Sequence, residues 1–121
     1  MGFHSMRITA GALLLLLLAM PMAQADPLGD EIAHLIDFVR HSSCTFIRNG
    51  SDYTGSEAAD HIQAKYEHFK DEISTVEEFI DRAASKSLTS GKPYEVRCAG
   101  KTMPAADWIR AEDADYRTKQ K

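Results

Sequence analysis

The chain has 121 residues, and its 14 lysines and arginines face 18 aspartates and glutamates, which gives a formal net charge of −4 at neutral pH. Arg7 is the only charged residue among the first 25, so the remainder of the chain is more acidic still. A nucleic acid partner would require a basic face, and this balance argues against one. The length suits one small domain.

The first 25 residues have the pattern of a secretory signal peptide. Arg7 precedes an apolar stretch that contains six consecutive leucines from Leu13 to Leu18, and the small residues Ala23 and Ala25 follow. A membrane anchor is the alternative, but the apolar run at 8–20 is shorter than the roughly 20 residues of a spanning helix. We therefore expect cleavage after Ala25, a periplasmic domain at 26–121, and no membrane span after cleavage.

The first helix is predicted at residues 31–41. Asp30 is a plausible N-cap, and Ile32, Leu35, Ile36 and Val39 recur at helical spacing. Residues 44–48 then favour a strand. Asn49-Gly50 is a strong signal for a type I′ hairpin turn, and residues 51–53 would form the short return strand.

The second helix is predicted at residues 56–71, where Thr54 and Glu57 fit a capping box. Its apolar stripe consists of Ala58, Ile62, Tyr66, Phe69 and Ile73. A third helix should follow a cap at Ser74 or Thr75 and end near Lys86.

Residues 87–93 have the composition of a loop, and the alternation in 94–98 predicts a strand with one buried face. Residues 99–101 should form a turn. A last helix should have Pro104 in its first turn, Trp108 and Ile109 as core anchors, and a frayed end after Tyr116. The predicted fold class is α+β, mostly helical with about four helices, and with a small antiparallel sheet made of the hairpin and one later strand.

Cys44 and Cys98 are the two cysteines. In an oxidising compartment an even pair favours a disulfide, which would close a long loop and remove chain entropy worth roughly 4 kcal/mol. A reactive pair is the alternative, although the Cys-x-x-Cys spacing is missing.

Several short segments in a fixed order resemble the YfeK-like family of small exported bacterial proteins. They are Phe46-Ile47-Arg48-Asn49-Gly50, Glu57-Ala58-Ala59, His61-Ile62, Lys65, Glu78-Phe79-Ile80-Asp81, Ala84-Ser85 and Ser90-Gly91-Lys92-Pro93-Tyr94. The resemblance covers about residues 31–98 and implies a periplasmic bacterial protein with a domain of unknown function. It implies no activity, and it implies that the fold stands without the cysteines, which some relatives lack.

Glu57, His61 and Lys65 lie at i, i+4 and i+8 on one edge of the second helix. A histidine between a carboxylate and an ammonium group could transfer protons, but a structural ladder at the rim of the core explains the pattern equally simply. A small hydrolase would add a nucleophile from Ser85, Ser87 or Ser90, and it requires one of these hydroxyls within hydrogen-bonding distance of His61. Otherwise these serines form caps and turns.

Other polar residues suggest binding rather than catalysis. Arg48, Lys65, Arg97 and Lys101 could gather near the sheet and hold an anionic ligand or partner, with Asn49 in the adjacent turn. Neither histidine pair, His34 with His41 or His61 with His68, can share a metal ion, because seven residues of helix separate the members of each pair by roughly 10.5 Å. A metal site would need ligands from both helices.

These patterns leave the role of the domain open. The leading hypothesis is a periplasmic, non-enzymatic binding or accessory module stabilised by one disulfide, with no cofactor or metal. Its partner would be another periplasmic protein or a small anionic ligand, and the hairpin and the 87–93 loop are the expected contact surfaces. The hydrolase that uses His61 and Glu57 with a loop serine is the alternative.

Overall fold

The computed structural model describes residues 25–121 and the isolated residue 2. The predicted signal peptide therefore lies almost wholly outside the described residues. The described helices are α1 (Pro27–Arg40), α2 (Gly55–Phe69), α3 (Val76–Phe79) and α4 (Ala105–Lys119), and the strands are β1 (Thr45–Arg48), β2 (Ser51–Tyr53), β3 (Glu95–Cys98) and β4 (Lys101–Pro104). The predicted α+β class is confirmed. Within the described part of the chain, no helix is both long enough and apolar enough to cross a membrane.

Helix α1 begins four residues earlier than predicted. The carboxylate of Asp26, and not Asp30, caps it by accepting a hydrogen bond of 2.9 Å from the Gly29 amide. Pro27 occupies the first turn, where its missing N–H costs nothing. The predicted apolar face is confirmed, because Ile32, Leu35, Ile36 and Val39 are all buried.

Helix α2 keeps its predicted capping box, but its buried face differs from the prediction. Ala59 and Ile62 are buried together with the side chain of Lys65, whereas Ala58, Tyr66 and Phe69 only flank the core. Gly55 packs so closely under the end of α1 that a Cβ atom would lie 2.4 Å from the Val39 carbonyl oxygen. The two helices therefore meet in a geometry that only glycine permits at this position.

After α2 the chain makes a 3₁₀ turn (Lys70–Glu72) and enters α3, which continues as a π-helical segment (Ile80–Ala84). The predicted third helix therefore ends two residues early and is not regular. Its buried residues Phe79, Ile80 and Ala83 pack at the centre of the core.

The sheet has the order β2-β1-β3-β4 and is antiparallel throughout. The predicted turn at Asn49-Gly50 is confirmed, with φ of +50° and +77°. Ala99-Gly100 adopts nearly the same pair of angles, +50° and +78°, and folds β4 back on β3. The strand β4 was not predicted, because alanine seldom adopts a positive φ and Pro104 suggested a helix. Pro104 ends this edge strand, where a missing N–H is tolerated.

A disulfide joins Cys44 to Cys98, with their Cα atoms 4.8 Å apart, as the sequence predicts. It links the residue before β1 to the last residue of β3. This end of the two strands is remote from the turn at Asn49-Gly50. Trp108 packs beside it on the core, with its ring 4.6 Å from that of Phe38 and 5.4 Å from that of Phe46. The disulfide-bridged end of the sheet is thus separated from the end that carries Arg48.

Candidate functional site

Four side chains meet where the hairpin end of the sheet faces α2. Phe46 is buried, and because alternate residues of a strand share a face, Arg48 also points towards the core. Tyr94 shares the face of the buried Val96 in the same way. His61 and Lys65, one turn apart on α2, approach from the other side, and we call these four residues, Arg48, His61, Lys65 and Tyr94, the cationic cluster.

The cationic cluster is connected by hydrogen bonds. Lys65 Nζ donates to the Lys86 carbonyl oxygen at 2.8 Å and to the Tyr94 hydroxyl at 3.1 Å. The Tyr94 hydroxyl also lies 3.1 Å from His61 Nε2, within hydrogen-bonding distance. The chain of contacts therefore runs from an ammonium group through a phenol to an imidazole.

Arg48 lies against His61 in an unusual way. Its Nη1 atom is 2.8 Å from both ring nitrogens of His61, so the guanidinium group contacts the nitrogen-bearing edge of the ring and not one lone pair. Its Cζ atom is 5.2 Å from the centre of the Tyr53 ring, within the range of a cation–π contact. The Nε atom is buried and has no hydrogen-bond partner among the described residues.

The electrostatics of the cationic cluster follow from these contacts. Burial, reinforced by the neighbouring charges of Arg48 and Lys86, lowers the pKa of Lys65 to about 8. Burial also lowers the pKa of His61, with further contributions from Arg48 and Lys65. Burial raises the pKa of the Tyr94 hydroxyl, against the influence of Arg48. At neutral pH the imidazole of His61 is thus uncharged and lies beside the two positive charges of Arg48 and Lys65.

The cationic cluster borders a cleft of about 260 Å³, which we call the polar cleft because it contains the charged groups of Arg48 and Lys65. The cleft is lined by Arg48, Asn49, His61, Lys65, Ser87, Leu88, Thr89 and Tyr94. None of these residues carries a carboxylate. The hydroxyl and amide groups of Ser87, Thr89 and Asn49 add neutral hydrogen-bonding groups to its wall, so the lining combines cationic and neutral polar groups.

Arg48 differs from the other arginines of the described chain, residues 25–121. Those arginines form ion pairs with carboxylates; they are Arg40, Arg82, Arg97, Arg110 and Arg117. Arg48 forms no such pair with any described residue, and residues 1–25 contain no aspartate or glutamate. Lys65 is 7% exposed and likewise lacks a carboxylate partner within the described part of the chain. The two charges at the cleft are therefore not neutralised by the protein.

The predicted basic group is only partly assembled. Arg48 and Lys65 meet at the cleft, but Arg97 pairs with Asp52 at 3.2 Å, and Lys101 lies exposed on β4. Lys65 was expected at the rim of the core and is instead buried, with its ammonium group bonded to the Lys86 carbonyl oxygen and the Tyr94 hydroxyl.

Glu57 does not contact His61 through any described hydrogen bond. Its carboxylate accepts a hydrogen bond of 3.0 Å from the Thr54 amide, and its own amide donates to the Thr54 hydroxyl at 3.2 Å. This capping role lowers the pKa of Glu57 through the hydrogen bonds to the amide and hydroxyl of Thr54. The expected Glu57–His61–Lys65 ladder is therefore reduced to His61 and Lys65.

The loop serines bond elsewhere. Ser85 Oγ donates to the Asp81 carbonyl oxygen at 2.7 Å. Asn49 ties the hairpin turn to the loop, because its amide donates to Ser87 Oγ at 3.1 Å and its carbonyl oxygen accepts a bond from the Ser90 hydroxyl. The hydrogen bonds that His61 makes to described residues go to Arg48 and Tyr94, so the contact that a serine hydrolase requires is not made.

The histidines on α1 have other partners. His34 Nε2 lies 3.1 Å from the Glu112 carboxylate, and His41 Nδ1 lies 3.2 Å from that of Asp37. Among residues 25–121 there is no group of three or more His, Cys, Asp or Glu side chains placed to hold a metal ion.

Tyr94 is the residue of the site that sequence reasoning missed. The signal was present, because Tyr94 shares strand parity with Val96, and a tyrosine on a buried face needs a partner for its hydroxyl. The sequence analysis also did not predict the contact between the Tyr53 ring and Arg48.

Comparisons with known proteins agree on the family and give no activity. Residues 27–117 match the model of a family of unknown function, DUF5329. The chain is 37% identical over 83 residues to the uncharacterized protein YfeK of Salmonella typhimurium strain LT2, and this region spans 69% of each chain. No solved structure matches the chain. The chain belongs to the DUF5329 family, and the YfeK-like resemblance seen in its sequence is confirmed.

Proposed function

We propose that the chain is an exported, periplasmic and non-enzymatic binding protein whose polar cleft holds a small anionic ligand between Arg48 and Lys65. The observation that carries this proposal is that Arg48 has no carboxylate partner although the other arginines of residues 25–121 do. Placing a second cation, Lys65, beside it without compensation is unfavourable to the free protein. An anion that enters the cleft removes this cost, so part of its binding free energy comes from relief of repulsion.

The available hydrogen-bond donors support the same ligand class. Lys65 has three N–H groups, and two of them are used by Lys86 and Tyr94. Arg48 has five, and only its Nη1 group contacts a hydrogen-bonding side chain of the described residues, that of His61. Charge-assisted hydrogen bonds from such groups to a carboxylate or phosphate are about twice as strong as neutral ones.

Calorimetric titration of the purified protein with acetate and with inorganic phosphate tests the proposal. We expect saturable binding of at least one anion, with a stoichiometry of one. Arg48→Gln and Lys65→Met should each weaken it about tenfold or more, since a hydrogen bond to a charged group contributes about 1.5–3 kcal/mol. Arg97→Gln is the matched control, because Arg97 lies on the neighbouring strand, paired with Asp52.

The proposal is wrong if neither anion binds, or if Arg97→Gln weakens binding as much as Arg48→Gln does. The export part has its own test. The protein recovered from an osmotic-shock fraction should have the mass of residues 26–121 and no free thiols under denaturant, whereas the unprocessed chain in the cytosol would contradict it.

A further inference from the structure

A second cavity, of about 200 Å³, lies behind the cationic cluster between α2 and the sheet. We call it the apolar cavity; it is lined by Phe46, Ile47, Arg48, Tyr53, Glu57, Ala58, His61, Ile62, Ala84, Tyr94, Ala105 and Ile109. Most of these side chains are aliphatic or aromatic. The apolar cavity is thus suited to a hydrocarbon group and offers few hydrogen bonds.

The polar cleft and the apolar cavity adjoin at three side chains. Arg48, His61 and Tyr94 line both of them. A group bound to the guanidinium of Arg48 therefore lies at the boundary of the two spaces. Because Arg48 lines the apolar cavity, which is itself partly open to solvent, a ligand whose charged head contacts Arg48 can place an uncharged part in that cavity.

The size of the apolar cavity limits what it can hold. Pockets for drug-sized ligands have volumes of about 300–1,000 Å³, whereas an apolar cavity of about 150 Å³ accepts benzene. A cavity of about 200 Å³ lies between these cases. It has room for one ring or a short alkyl chain.

The charge pattern agrees with an anionic head. Glu57 is the one acidic residue in the lining of either space, and its carboxylate is already bonded to the Thr54 amide. The cations Arg48 and Lys65 lie on the cleft side.

We infer that the ligand is a small amphipathic anion, whose charged head contacts Arg48 and Lys65 and whose apolar group, about the size of one ring, occupies the apolar cavity. This inference rests on the proposed anion binding and adds the chemistry of the uncharged part. The two spaces meet at the same three side chains, Arg48, His61 and Tyr94.

A series of carboxylates of increasing length tests the inference. Acetate, butanoate and hexanoate have the same head, so differences among their calorimetric dissociation constants report on the uncharged part. We expect hexanoate to bind about tenfold or more tightly than acetate, since each buried methylene contributes about 0.8 kcal/mol. Hexyl phosphate and inorganic phosphate repeat the comparison with the other common head, and a gain in either pair supports the inference.

A cavity-filling variant locates the gain. Ala58 lines the apolar cavity, and Ala58→Leu should reduce hexanoate binding to the level of acetate while acetate binding stays the same. Ala114→Leu, at an exposed position of α4, is the matched control and should change neither.

The outcomes separate the two proposals. Equal affinity for the short and long members of both pairs overturns this inference and leaves anion binding intact. A gain with chain length that survives in Ala58→Leu also overturns it, because the alkyl group then binds elsewhere. Failure of both acetate and inorganic phosphate to bind overturns the proposed function itself.

Discussion

Two regions of the molecule bring like charges together, and they differ in what neutralises those charges. One is the cationic cluster, where Arg48 and Lys65 lack a carboxylate partner among the described residues. The other is an acidic pair, Glu31 on α1 and Asp113 on α4. Arg117 joins the acidic pair, with its Nε atom 2.7 Å from Glu31 Oε1 and 3.2 Å from Asp113 Oδ2.

The acidic pair has a counterion within the chain, Arg117, although Asp113 Oδ1 is buried without a hydrogen-bond partner among the described residues. Burial raises the pKa of Asp113 to about 6, and a hydrogen bond and repulsion from Glu31 act in the same direction. Burial would raise the pKa of Glu31 too, but hydrogen bonds to Asp113 and Arg117 outweigh it and lower that pKa. Glu31 and Asp113 are therefore hydrogen-bonded to each other, and both carboxylates contact the guanidinium group of Arg117. Arg117 and the acidic pair thus join α1 to α4, whereas the cationic cluster has no carboxylate partner among the described residues.

The largest expected effect is on the free energy of unfolding, and it tests whether the disulfide stabilises the fold without affecting the cationic cluster. Replacing both cysteines, Cys44→Ala with Cys98→Ala, should lower the free energy of unfolding by about 2–4 kcal/mol, because the unfolded chain gains the freedom of a long loop. Urea unfolding measures this change. Since the bridge lies at the end of the sheet remote from Arg48, anion affinity should persist wherever the variant is folded. Loss of binding in the folded variant would contradict this separation.

Reciprocal substitutions separate the two regions. Arg48→Gln should weaken anion binding about tenfold or more and leave the melting temperature equal or higher, since a repulsive charge is removed. Arg117→Gln should do the opposite, lowering the melting temperature while anion affinity is unchanged. Calorimetry and thermal unfolding on the same samples measure both quantities. If both variants change the same quantity, the two regions do not have the distinct roles assigned here.

The pH dependence of anion binding sharpens the assignment of Lys65. Because the pKa of Lys65 is about 8, its charge is present at pH 7 and mostly lost at pH 9. We expect the affinity for acetate to fall several-fold across this range. In Lys65→Met the slope should disappear, and a slope that persists would assign the titration to another group.

The smallest effect concerns the stability of the acidic pair. The pKa of Asp113 is raised from 3.8 in the unfolded chain to about 6 in the folded one, so its contribution is complete below about pH 4 and is lost as the pH rises through 6. Asp113→Asn keeps a neutral side chain at every pH. The variant should melt a few degrees higher than the wild type at pH 7.5 and show less difference at pH 4. An equal difference at both pH values would contradict the raised pKa.

Local signals in the sequence predicted much of the fold. Asn49-Gly50 specified its hairpin because both residues tolerate positive φ, and the apolar spacing of α1 identified its buried face. The strand β4 was missed because Ala99 adopts a positive φ that its residue type does not signal. The start of α1 was misplaced because two aspartates, Asp26 and Asp30, are both acceptable caps.

The site was predicted in part, and the missing part depends on tertiary structure. Helical spacing placed His61 and Lys65 on one edge of α2, and Arg48 was recognised as a possible anion ligand. Helical periodicity assigned Lys65 to the rim, because it cannot show that a carbonyl at Lys86 and the Tyr94 hydroxyl satisfy a buried ammonium group. The contact between Arg48 and His61 arises from the packing of a strand on a helix 13 residues away in sequence.

The central claim is that the cationic cluster is uncompensated until an anion binds. An NMR titration of the Lys65 side chain, followed through its Cε carbon, tests this claim most directly. We predict a pKa of about 8 without added anion, and a clear rise when saturating hexanoate or phosphate is present. A pKa near 10.5 that no anion changes would mean that the charge of Lys65 is already satisfied, and the account would be wrong.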